Sequence, residues 1–310
     1  MYAFRKINDH LQIGNRMKDK TIYALGFFDG VHLGHQALLA ECRHLASLHR
    51  CKPAAVTFDL PPSAVLQGHQ PNMLHTLRDR ELLLRHYGMD EVLVLPATRE
   101  HLSTPWAEFL DRLIDAGAAG FVCGQDYRFG HMGAGNAQTL SAFAESRGLP
   151  CSIVPEQQMD GEKISSTRIR SLLEQGDVAN ANRLLGHPHA FTGTVVSGQK
   201  LGRTLGIPTA NLALPQELLT PALGVYACRA WVDGKAYVAV TNIGIRPTVA
   251  GKHITAEAWL QDFTGDLYGK ELTLAFHAFL RPERKFPTLQ ALKEEILKNR
   301  QETLNFFEKK

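Results

Sequence analysis

The hydrophobic pattern of this 310-residue chain changes near residue 186, and that change constrains the fold more than any other feature. Before it, short apolar runs alternate with stretches whose apolar residues recur every three or four positions. After it, short alternating runs follow one another closely, separated by Gly, Pro and Asp. The first pattern predicts strands alternating with helices, and the second predicts closely spaced strands. We therefore expect one domain over residues 1–186 and another over residues 187–310, both of ordinary size.

The first domain is predicted to be an α/β domain with a doubly wound parallel sheet. Apolar runs predict strands at Thr21–Leu25, Ala54–Phe58, Val92–Leu95, Gly120–Cys123 and Ser152–Val154. Stretches between them predict helices at Gly34–Arg50, Thr76–Tyr87, Pro105–Ala116 and Gly135–Arg147. Ligands of such sheets bind at the carboxyl ends of the strands. The segment Gly26–His35 follows the first strand and is therefore a candidate site.

The second domain is predicted to be a small antiparallel β-barrel followed by a C-terminal helix. Asp233-Gly234 is a hairpin signal between two alternating runs, and further runs complete a strand set of Ala227–Val232, Ala236–Thr241, Ile254–Leu260 and Glu271–Leu280. A helical pattern begins at Thr288, after Pro287. Its apolar stripe is interrupted by the polar Asn299, and we expect the stripe to pack on the barrel.

Charge and composition argue against several classes of protein. The net charge is only +3 and no long basic block occurs, so a nucleic-acid partner has little electrostatic support. No apolar run approaches ~18 residues, and no signal core follows the N-terminus, so we expect no membrane partner. The five cysteines are scattered without a CxxC pair, which points to neither a disulfide framework nor a zinc site. Together these features favour a cytoplasmic protein.

The segment after the first strand has the ingredients of a phosphate site. His32 and His35 are three residues apart at a predicted helix start, and Gly30 and Gly34 leave the backbone open. A helix N-terminus attracts anions, and imidazoles can donate hydrogen bonds to phosphate oxygens. Two histidines at this spacing are more often solvated residues of a helix surface. Their position after a strand and a glycine turn favours the phosphate site.

A second segment carries hydroxyl groups and a cation at another predicted helix start. Ser165, Ser166 and Thr167 are good N-cap residues whose hydroxyls can also bind phosphate, and Arg170 adds a positive charge. Alone, this segment is consistent with an ordinary N-cap and solvated arginines. Together with the two histidines, it strengthens the prediction of a site for a triphosphate.

The segment from residue 198 to 211 is a second candidate for phosphate binding. Its glycines permit tight turns and its cations can bind phosphate, the set being Gly198, Lys200, Gly202, Arg203 and Gly206. Thr209 and Asn211 offer the hard oxygen ligands that Mg²⁺ prefers. A glycine-rich barrel loop with solvated cations explains the first part of this segment equally well.

These segments resemble a known family when taken together. Gly30–His35 with Ser165–Arg170 resembles the nucleotidyltransferases with an HxGH motif, and the loop Gly124–Gly130 narrows the resemblance to the prokaryotic bifunctional riboflavin kinase/FAD synthetase family. The segment Gly202–Asn211 resembles the riboflavin kinase signature, and two further segments match the family, namely Asn242–Thr248 and Asp262–Gly269. The resemblance extends from about Thr21 to Phe307. The chain departs from the family pattern at Phe27, Pro61 and Trp259, where the family usually has asparagine, histidine and histidine.

The resemblance implies two reactions and their residues. In the barrel, riboflavin would be phosphorylated by ATP with Mg²⁺ to FMN, with Glu257 as the base, Thr209 and Asn211 holding Mg·ATP, and Asn242 in the nucleotide site. In the α/β domain, FMN would be adenylylated to FAD with release of pyrophosphate. The catalytic residues there would be His32, His35 and Arg170, with nucleotide contacts from Gly30, Gly34, Asp126, Ser165, Ser166 and Thr167.

Two alternatives remain open on the sequence alone. One is a riboflavin kinase whose nucleotidyltransferase domain is weak or acts on a different phosphate ester. The other is a flavin-binding regulatory protein, against which the retained base Glu257 argues. His187 and His189 could bind a metal, although an HxH in a proline-containing linker is more often incidental. The sequence gives no prediction of the oligomeric state.

Overall fold

The computed structural model describes residues 20–69, 72–197, 206–248 and 251–309, with the backbone alone for residues 246–248 and 251–253. Contacts divide the chain into two compact units. The first takes in the described residues of Met1–Pro71 and Arg80–Lys163, and the second takes in Asn72–Asp79 and the described residues of Ile164–Lys310. This division into compact units does not test the predicted domain boundary between residues 186 and 187, which stays a prediction.

The first unit contains the predicted parallel sheet. Its strands are β1 (Thr21–Leu25), β2 (Lys52–Phe58), β3 (Glu91–Leu95), β4 (Ala118–Gly124) and β7 (Cys151–Val154), with β5 (Arg128–Phe129) and β6 (Gly135–Asn136) forming a small separate pair. The order across the sheet is β3-β2-β1-β4-β7, and every neighbouring pair is parallel. The strand order reverses between β1 and its neighbours β2 and β4, which is where ligands bind in such sheets.

Helices fill the intervals between these strands. They are α1 (Leu33–His49), α2 (Pro62–Gln67), α3 (Leu77–His86), α4 (Arg99–Leu102), α5 (Trp106–Asp115) and α6 (Ala137–Ser146). A single turn of 3-10 helix spans His131–Gly133, and a short hairpin pairs β8 (Gln158–Met159) with β9 (Glu162–Lys163). The longer helices were predicted to within two residues at each end, whereas α2 and α4 were not predicted.

Alternate residues of β1 point into two separate cores. Ile22 and Ala24 pack on one face with the buried residues of α1, which are Leu38, Leu39, Cys42 and Ala46. Tyr23 and Leu25 pack on the other face with α5 and α6, through Leu110, Leu113, Leu140 and Ala144. Because both faces are covered, the strand is a continuous apolar run. The doubly wound fold is confirmed.

The second unit contains the predicted barrel. Two helices come first, α7 (Ser166–Glu174) and α8 (Val178–Leu185), followed by β10 (His189–Val196), β11 (Ala210–Ala213), β12 (Gly224–Val232), β13 (Lys235–Thr248), β14 (Gly251–Leu260), β15 (Glu271–Pro282) and the helix α9 (Leu289–Glu308). The strands close in the order β10-β11-β14-β13-β12-β15, and all neighbours are antiparallel. The antiparallel barrel with a C-terminal helix is confirmed.

Local signals place the hairpin and the last helix where the sequence indicates. Asp233 and Gly234 both have positive φ, 51° and 75°, as the tight β12–β13 turn requires. The Thr288 hydroxyl accepts a hydrogen bond from the Ala291 N–H and caps α9. Asn299 and Thr303 are the buried residues of α9, so the predicted stripe includes the polar position that interrupted it.

Candidate active sites

The turn after β1 brings the two predicted histidines into direct contact. His32 is the N-cap residue of α1, and its Nδ1 accepts a hydrogen bond from the His35 N–H at 3.3 Å. The two imidazole rings stack with centroids 3.7 Å apart and an interplanar angle of 13°. The HxGH segment therefore presents two stacked rings at the start of a helix, beside the carboxyl end of β1.

Gly34 permits this stacking. A Cβ atom at this position would lie 3.2 Å from both Cε1 and Nδ1 of His32. The preceding turn is also unusual, because Phe28, Gly30 and Val31 have φ angles of 57°, 87° and 41°. For the two non-glycine residues this conformation is costly and persists only where the surroundings fix it.

The environment of His35 keeps its ring neutral. Burial, the neighbouring His32 and the positive charge of Arg80 lower the pKa of His35 well below its ordinary value. Its Nδ1 atom is buried and has no hydrogen-bond partner among the described residues. A neutral imidazole with an unpaired ring nitrogen has hydrogen-bonding capacity left for a ligand.

Arg80 of α3 is a residue of this region that the sequence reasoning missed. Its side chain is fully buried, with 0% exposure. The signal was present in the sequence, because Arg80 falls between Leu77 and Leu84 at helical spacing and so lies on the apolar face of its helix. Asp29, which is 1% exposed, was missed as well.

The loop between β4 and β5 contains the predicted nucleotide contact Asp126. Its carboxylate pairs with Lys163 at 2.6 Å, and Lys163 also pairs with Glu156 at 2.9 Å. Hydrogen bonds to these two carboxylates raise the pKa of Lys163. The next residue, Tyr127, is half-buried and stacks on Phe129 with centroids 5.5 Å apart. The ion pair of Asp126 and the ring contact of Tyr127 thus both hold the loop in place.

The hydroxyl segment begins α7, as the sequence indicated. The Ser165 hydroxyl accepts a hydrogen bond from the Arg168 N–H at 3.3 Å, so Ser165 is the N-cap residue and Ser166 and Thr167 form the first turn. Arg170 donates a hydrogen bond from Nε to the Asn72 carbonyl at 2.6 Å. These residues belong to the second compact unit, whereas His32 and His35 belong to the first. Their joint action on one triphosphate stays a prediction.

Two departures from the family pattern have structural counterparts. The Phe27 ring lies under the guanidinium group of Arg80, 4.5 Å from ring centroid to Cζ. Pro61 is the N-cap residue of α2 and makes no side-chain cap hydrogen bond. Its ring can donate none, unlike the histidine usual in the family.

The barrel contains a cavity of about 340 Å³ that is lined by several predicted kinase residues. Thr209, Asn242 and Glu257 line it, together with Ile207, Val225, Val240, Trp259, Arg281, Glu283, Arg284, Phe286, Leu292, Ile296 and Asn299. The mixture of aliphatic, aromatic and charged groups suits a flat, largely apolar ligand with a polar tail.

Strand register explains why these side chains meet. Glu257 on β14 pairs with Asn211 on β11 and with Asn242 on β13. Asn242 pairs with Val225 on β12, which pairs with Arg281 on β15. Residues paired across neighbouring strands share a face of the sheet, so this row places the predicted base between two amides. Thr209 stands just before β11.

Most of the lining residues were not predicted as site residues, among them Arg281, Glu283, Phe286 and Asn299. Glu283 accepts a hydrogen bond from Nδ2 of Asn242 at 3.3 Å, and Asn299 accepts one from Nε of Arg281 at 3.0 Å. The polar interruption of the C-terminal helix pattern was the available signal for Asn299. The buried amide of Asn299 is satisfied at the cavity, because Arg281 is its hydrogen-bond partner there.

A smaller cavity of about 90 Å³ adjoins Thr209 and Ala210. Its other residues come mainly from the β14–β15 connection, namely Phe263, Gly265, Asp266, Leu267 and Tyr268. Gly206 is exposed and has a positive φ of 76°. The predicted phosphate contacts Gly198, Lys200, Gly202 and Arg203 lie outside the described residues.

Two regions of the chain carry residue types that can bind a metal ion. Within the described ranges, no group of three or more His, Cys, Asp or Glu residues is arranged to hold a metal ion. The rings of His187 and His189 lie 5.6 and 5.8 Å from that of His75, and they form an aromatic cluster instead. Thr209 and Asn211 carry hydroxyl and amide oxygens, which belong to a different donor class, and their binding of a metal stays a prediction. The Asn211 side chain is buried beside Glu257, where its oxygen fits a hard cation.

The fold and the two sites define an ATP-dependent transferase of phosphorus-containing groups, with a nucleotidyltransferase-like unit before a kinase-like barrel. Comparison with known proteins specifies the class. A family model described as FAD synthetase matches residues 15–168, and one described as riboflavin kinase matches residues 185–307. The bifunctional riboflavin kinase/FMN adenylyltransferase of Listeria monocytogenes is 36% identical over 93% of both chains. The protein of the same name from Bacillus subtilis is 35% identical over 93% of both chains.

The chain therefore belongs to the bifunctional riboflavin kinase/FMN adenylyltransferase family. The crystal structure of a macrolide-efflux protein from Streptococcus pneumoniae matches with a TM-score of 0.84 and 30% identity, over 93% of this chain and 94% of that one. The two chains therefore share their fold. Across the described ranges, no helix has the length and apolar character needed to span a membrane.

Proposed function

We propose that the chain makes FAD from riboflavin in two steps, with the barrel phosphorylating riboflavin and the α/β unit adenylylating FMN. The row Asn211–Glu257–Asn242, of which Glu257 and Asn242 line the 340 Å³ cavity, carries the first assignment. The stacked pair His32 and His35 at a helix N-terminus carries the second. Family membership supports both.

In the kinase step, the flat ring system of riboflavin occupies the 340 Å³ cavity and its ribityl chain reaches Glu257. Glu257 takes the proton from the terminal ribityl hydroxyl, whose oxygen forms a bond to the γ-phosphorus while ADP leaves. Thr209 and Asn211 are the residues that would hold Mg²⁺. When bound, this ion neutralises charge on the phosphate oxygens. The adenine of ATP is assigned to the smaller cavity beside Thr209.

In the adenylyl step, a phosphate oxygen of FMN attacks the α-phosphorus of a second ATP and pyrophosphate leaves. His32 and His35 donate hydrogen bonds to the phosphate oxygens as negative charge develops. The helix N-terminus at Leu33 adds partial positive charge. Ser165, Ser166, Thr167 and Arg170 are assigned to the triphosphate, and Asp126 to the nucleotide loop. We place both reactions in the cytoplasm, where the flavin substrates and ATP are available.

The kinase assignment is tested by Glu257→Gln, which keeps the side-chain shape and removes the base. We expect riboflavin phosphorylation to fall by roughly 10²–10⁴-fold. FAD formation from supplied FMN and ATP should remain. Glu294→Gln, at an exposed position of α9, is the matched control. A kinase rate that survives in Glu257→Gln would contradict the assignment of the base.

A riboflavin kinase with a weak nucleotidyltransferase unit is the second candidate function. Pro61 favours it, since a proline stands where the family usually has a hydrogen-bond donor. The same assay distinguishes the two functions, because the second candidate yields FMN from riboflavin and little or no FAD from FMN.

A further inference from the structure

Arg80 is the most deeply buried charged side chain near the predicted adenylyl site, and the proposed reaction gives it no role. Its exposure is 0%. A charge is seldom buried completely, because its loss of hydration is costly unless other groups compensate. Burial lowers the pKa of Arg80 to about 10, while the charges of Asp29 and Asp59 act in the opposite direction. The side chain is therefore charged at neutral pH.

Backbone carbonyl groups compensate this charge. One terminal nitrogen of Arg80 donates to the Phe27 carbonyl at 3.2 Å, and the other donates to the carbonyls of Phe58 at 2.5 Å and Asp59 at 3.2 Å. Phe27 follows the end of β1, Phe58 ends β2, and Asp59 follows it. A single planar fork thus joins the carboxyl ends of two neighbouring strands, a geometry that a lysine cannot reproduce.

The turn held by Arg80 is the one that carries the histidines. The Phe27 carbonyl also accepts a hydrogen bond from the Thr57 hydroxyl at 2.8 Å, so it is fixed from two sides. The next residue, Phe28, is fully buried and has a φ of 57°. Its ring packs edge-on against the His35 ring at 5.3 Å, and the His35 ring stacks on His32.

We propose that Arg80 is the positioning residue of the adenylyl-transfer site: its buried guanidinium fixes the turn after β1 so that His32 and His35 stand in the geometry for phosphate contact. This inference rests on the proposed adenylyl-transfer function. Small displacements of groups that stabilise a transition state reduce the rate strongly. Loss of the fork therefore affects turnover more than substrate binding.

The charge of Arg80 has a separate effect, on the ionisation of His35. Burial is the largest cause of the lowered pKa of His35, and the neighbouring His32 and the charge of Arg80 add to it. Removal of the Arg80 charge takes away one of these causes, so the pKa of His35 rises. Substitution by lysine keeps the positive charge but loses the set of guanidinium hydrogen bonds to the backbone carbonyls. Substitution by methionine loses both the charge and these hydrogen bonds. The two variants therefore separate position from charge.

The test uses the full-length chain with FMN, ATP and Mg²⁺, as Arg80→Lys and Arg80→Met. For Arg80→Met we expect kcat for FAD formation to fall on the order of 10²-fold, and for Arg80→Lys about tenfold, with KM for ATP changed by less than about threefold. The acid limb of the kcat/KM profile should move to higher pH in Arg80→Met and stay in place in Arg80→Lys. Arg85→Met, at an exposed position of the same helix, should match the wild type.

Hydrogen exchange of β1 and β2 establishes folding of the variants, since an unfolded unit would also lose activity. Reduced kcat in Arg80→Lys with wild-type exchange protection supports the proposal even where Arg80→Met unfolds. Wild-type kcat in a folded Arg80→Lys, or equal losses in Arg85→Met, overturns it. A wild-type protein that makes no FAD from FMN would instead overturn the proposed function itself.

Discussion

At the scale of single residues, the turn that carries His32 and His35 combines features that are each unfavourable alone. Two non-glycine residues have positive φ, a histidine nitrogen is buried without a partner, and an arginine is buried without a carboxylate bonded to it in the described part of the chain. Such local costs cluster where a backbone must be held for chemistry. We therefore expect substitutions in this turn to be costly.

Replacing His32 by alanine should lower FAD formation on the order of 10²–10³-fold, because it removes one donor to developing phosphate charge. The same is expected of His35→Ala. Riboflavin phosphorylation in the same preparations should persist, since its residues belong to the barrel. The measurement is the initial rate of each step with its own substrate.

The exposed His44 on α1 supplies the control for these variants, and His44→Ala should leave both rates unchanged. Parallel loss of both activities in a folded His32→Ala protein would contradict separate sites.

At the scale of the element, most features that the sequence did not predict depend on how strands pair. The five strands of the parallel sheet were predictable because each is a continuous apolar run between helices. β10 and β11 were missed: β10 follows a proline linker, and β11 is four residues, Ala210–Ala213, behind a glycine-rich segment. The barrel closes through pairings between distant residues, which local pattern does not encode.

The sites were predictable to the same extent. Segments with unusual spacing, such as His32–His35 and Thr209–Asn211, were visible in the sequence. The flanking of Glu257 by two amides depends on strand register and was not visible. Helical spacing marked Arg80 as a residue of an apolar helix face, but its hydrogen bonds to the ends of two strands depend on the tertiary fold. Asn299 is an intermediate case, because its polarity within an apolar stripe marked the position and only the cavity explains it.

The connection between β5 and β6 offers a prediction at this scale. Gly130 has φ 73° and ψ −179°, and a Cβ there would lie 2.6 Å from the Cα of Trp106. Gly130→Ala therefore has both a strained backbone and a clash with backbone atoms. We expect it to destabilise the first unit by about 3 kcal/mol, measured by urea unfolding.

Gly148→Ala separates these two causes. Gly148 also has positive φ, at 65°, but a Cβ there meets nothing within 4 Å. Its cost should be about 1 kcal/mol, from backbone strain alone. Equal costs for the two variants would show that the Trp106 contact has no energetic weight.

At the scale of the whole molecule, each compact unit contains a buried histidine with a lowered pKa. In the second unit, burial and the charge of His187 lower the pKa of His189 to about 4. The unfolded chain binds a proton at this residue below its ordinary value of 6.5, whereas the folded unit does so only near 4. The unfolded state therefore gains protons first as the pH falls, and stability decreases over that window.

The expected loss at His189 between pH 7 and pH 4 is about 3 kcal/mol. His189→Leu should reduce the pH dependence of unfolding of the second unit by that amount. His49→Leu, at an exposed position, should leave it unchanged. An unaltered dependence in His189→Leu would mean that the folded unit admits the proton at little cost.

The central claim is that one chain carries both steps from riboflavin to FAD. Its most direct test is a time course of the purified chain with riboflavin, ATP and Mg²⁺, in which FMN, FAD, ADP and pyrophosphate are quantified by chromatography. We expect FMN to rise first and FAD to follow, with one ADP per riboflavin consumed and one pyrophosphate per FAD formed. FMN should accumulate transiently, because the donor absent at Pro61 is worth about 1.5–3 kcal/mol, or roughly ten- to a hundredfold, in the second step. FMN as a stable end product without pyrophosphate, or riboflavin left unchanged, would show that this chain does not carry both steps.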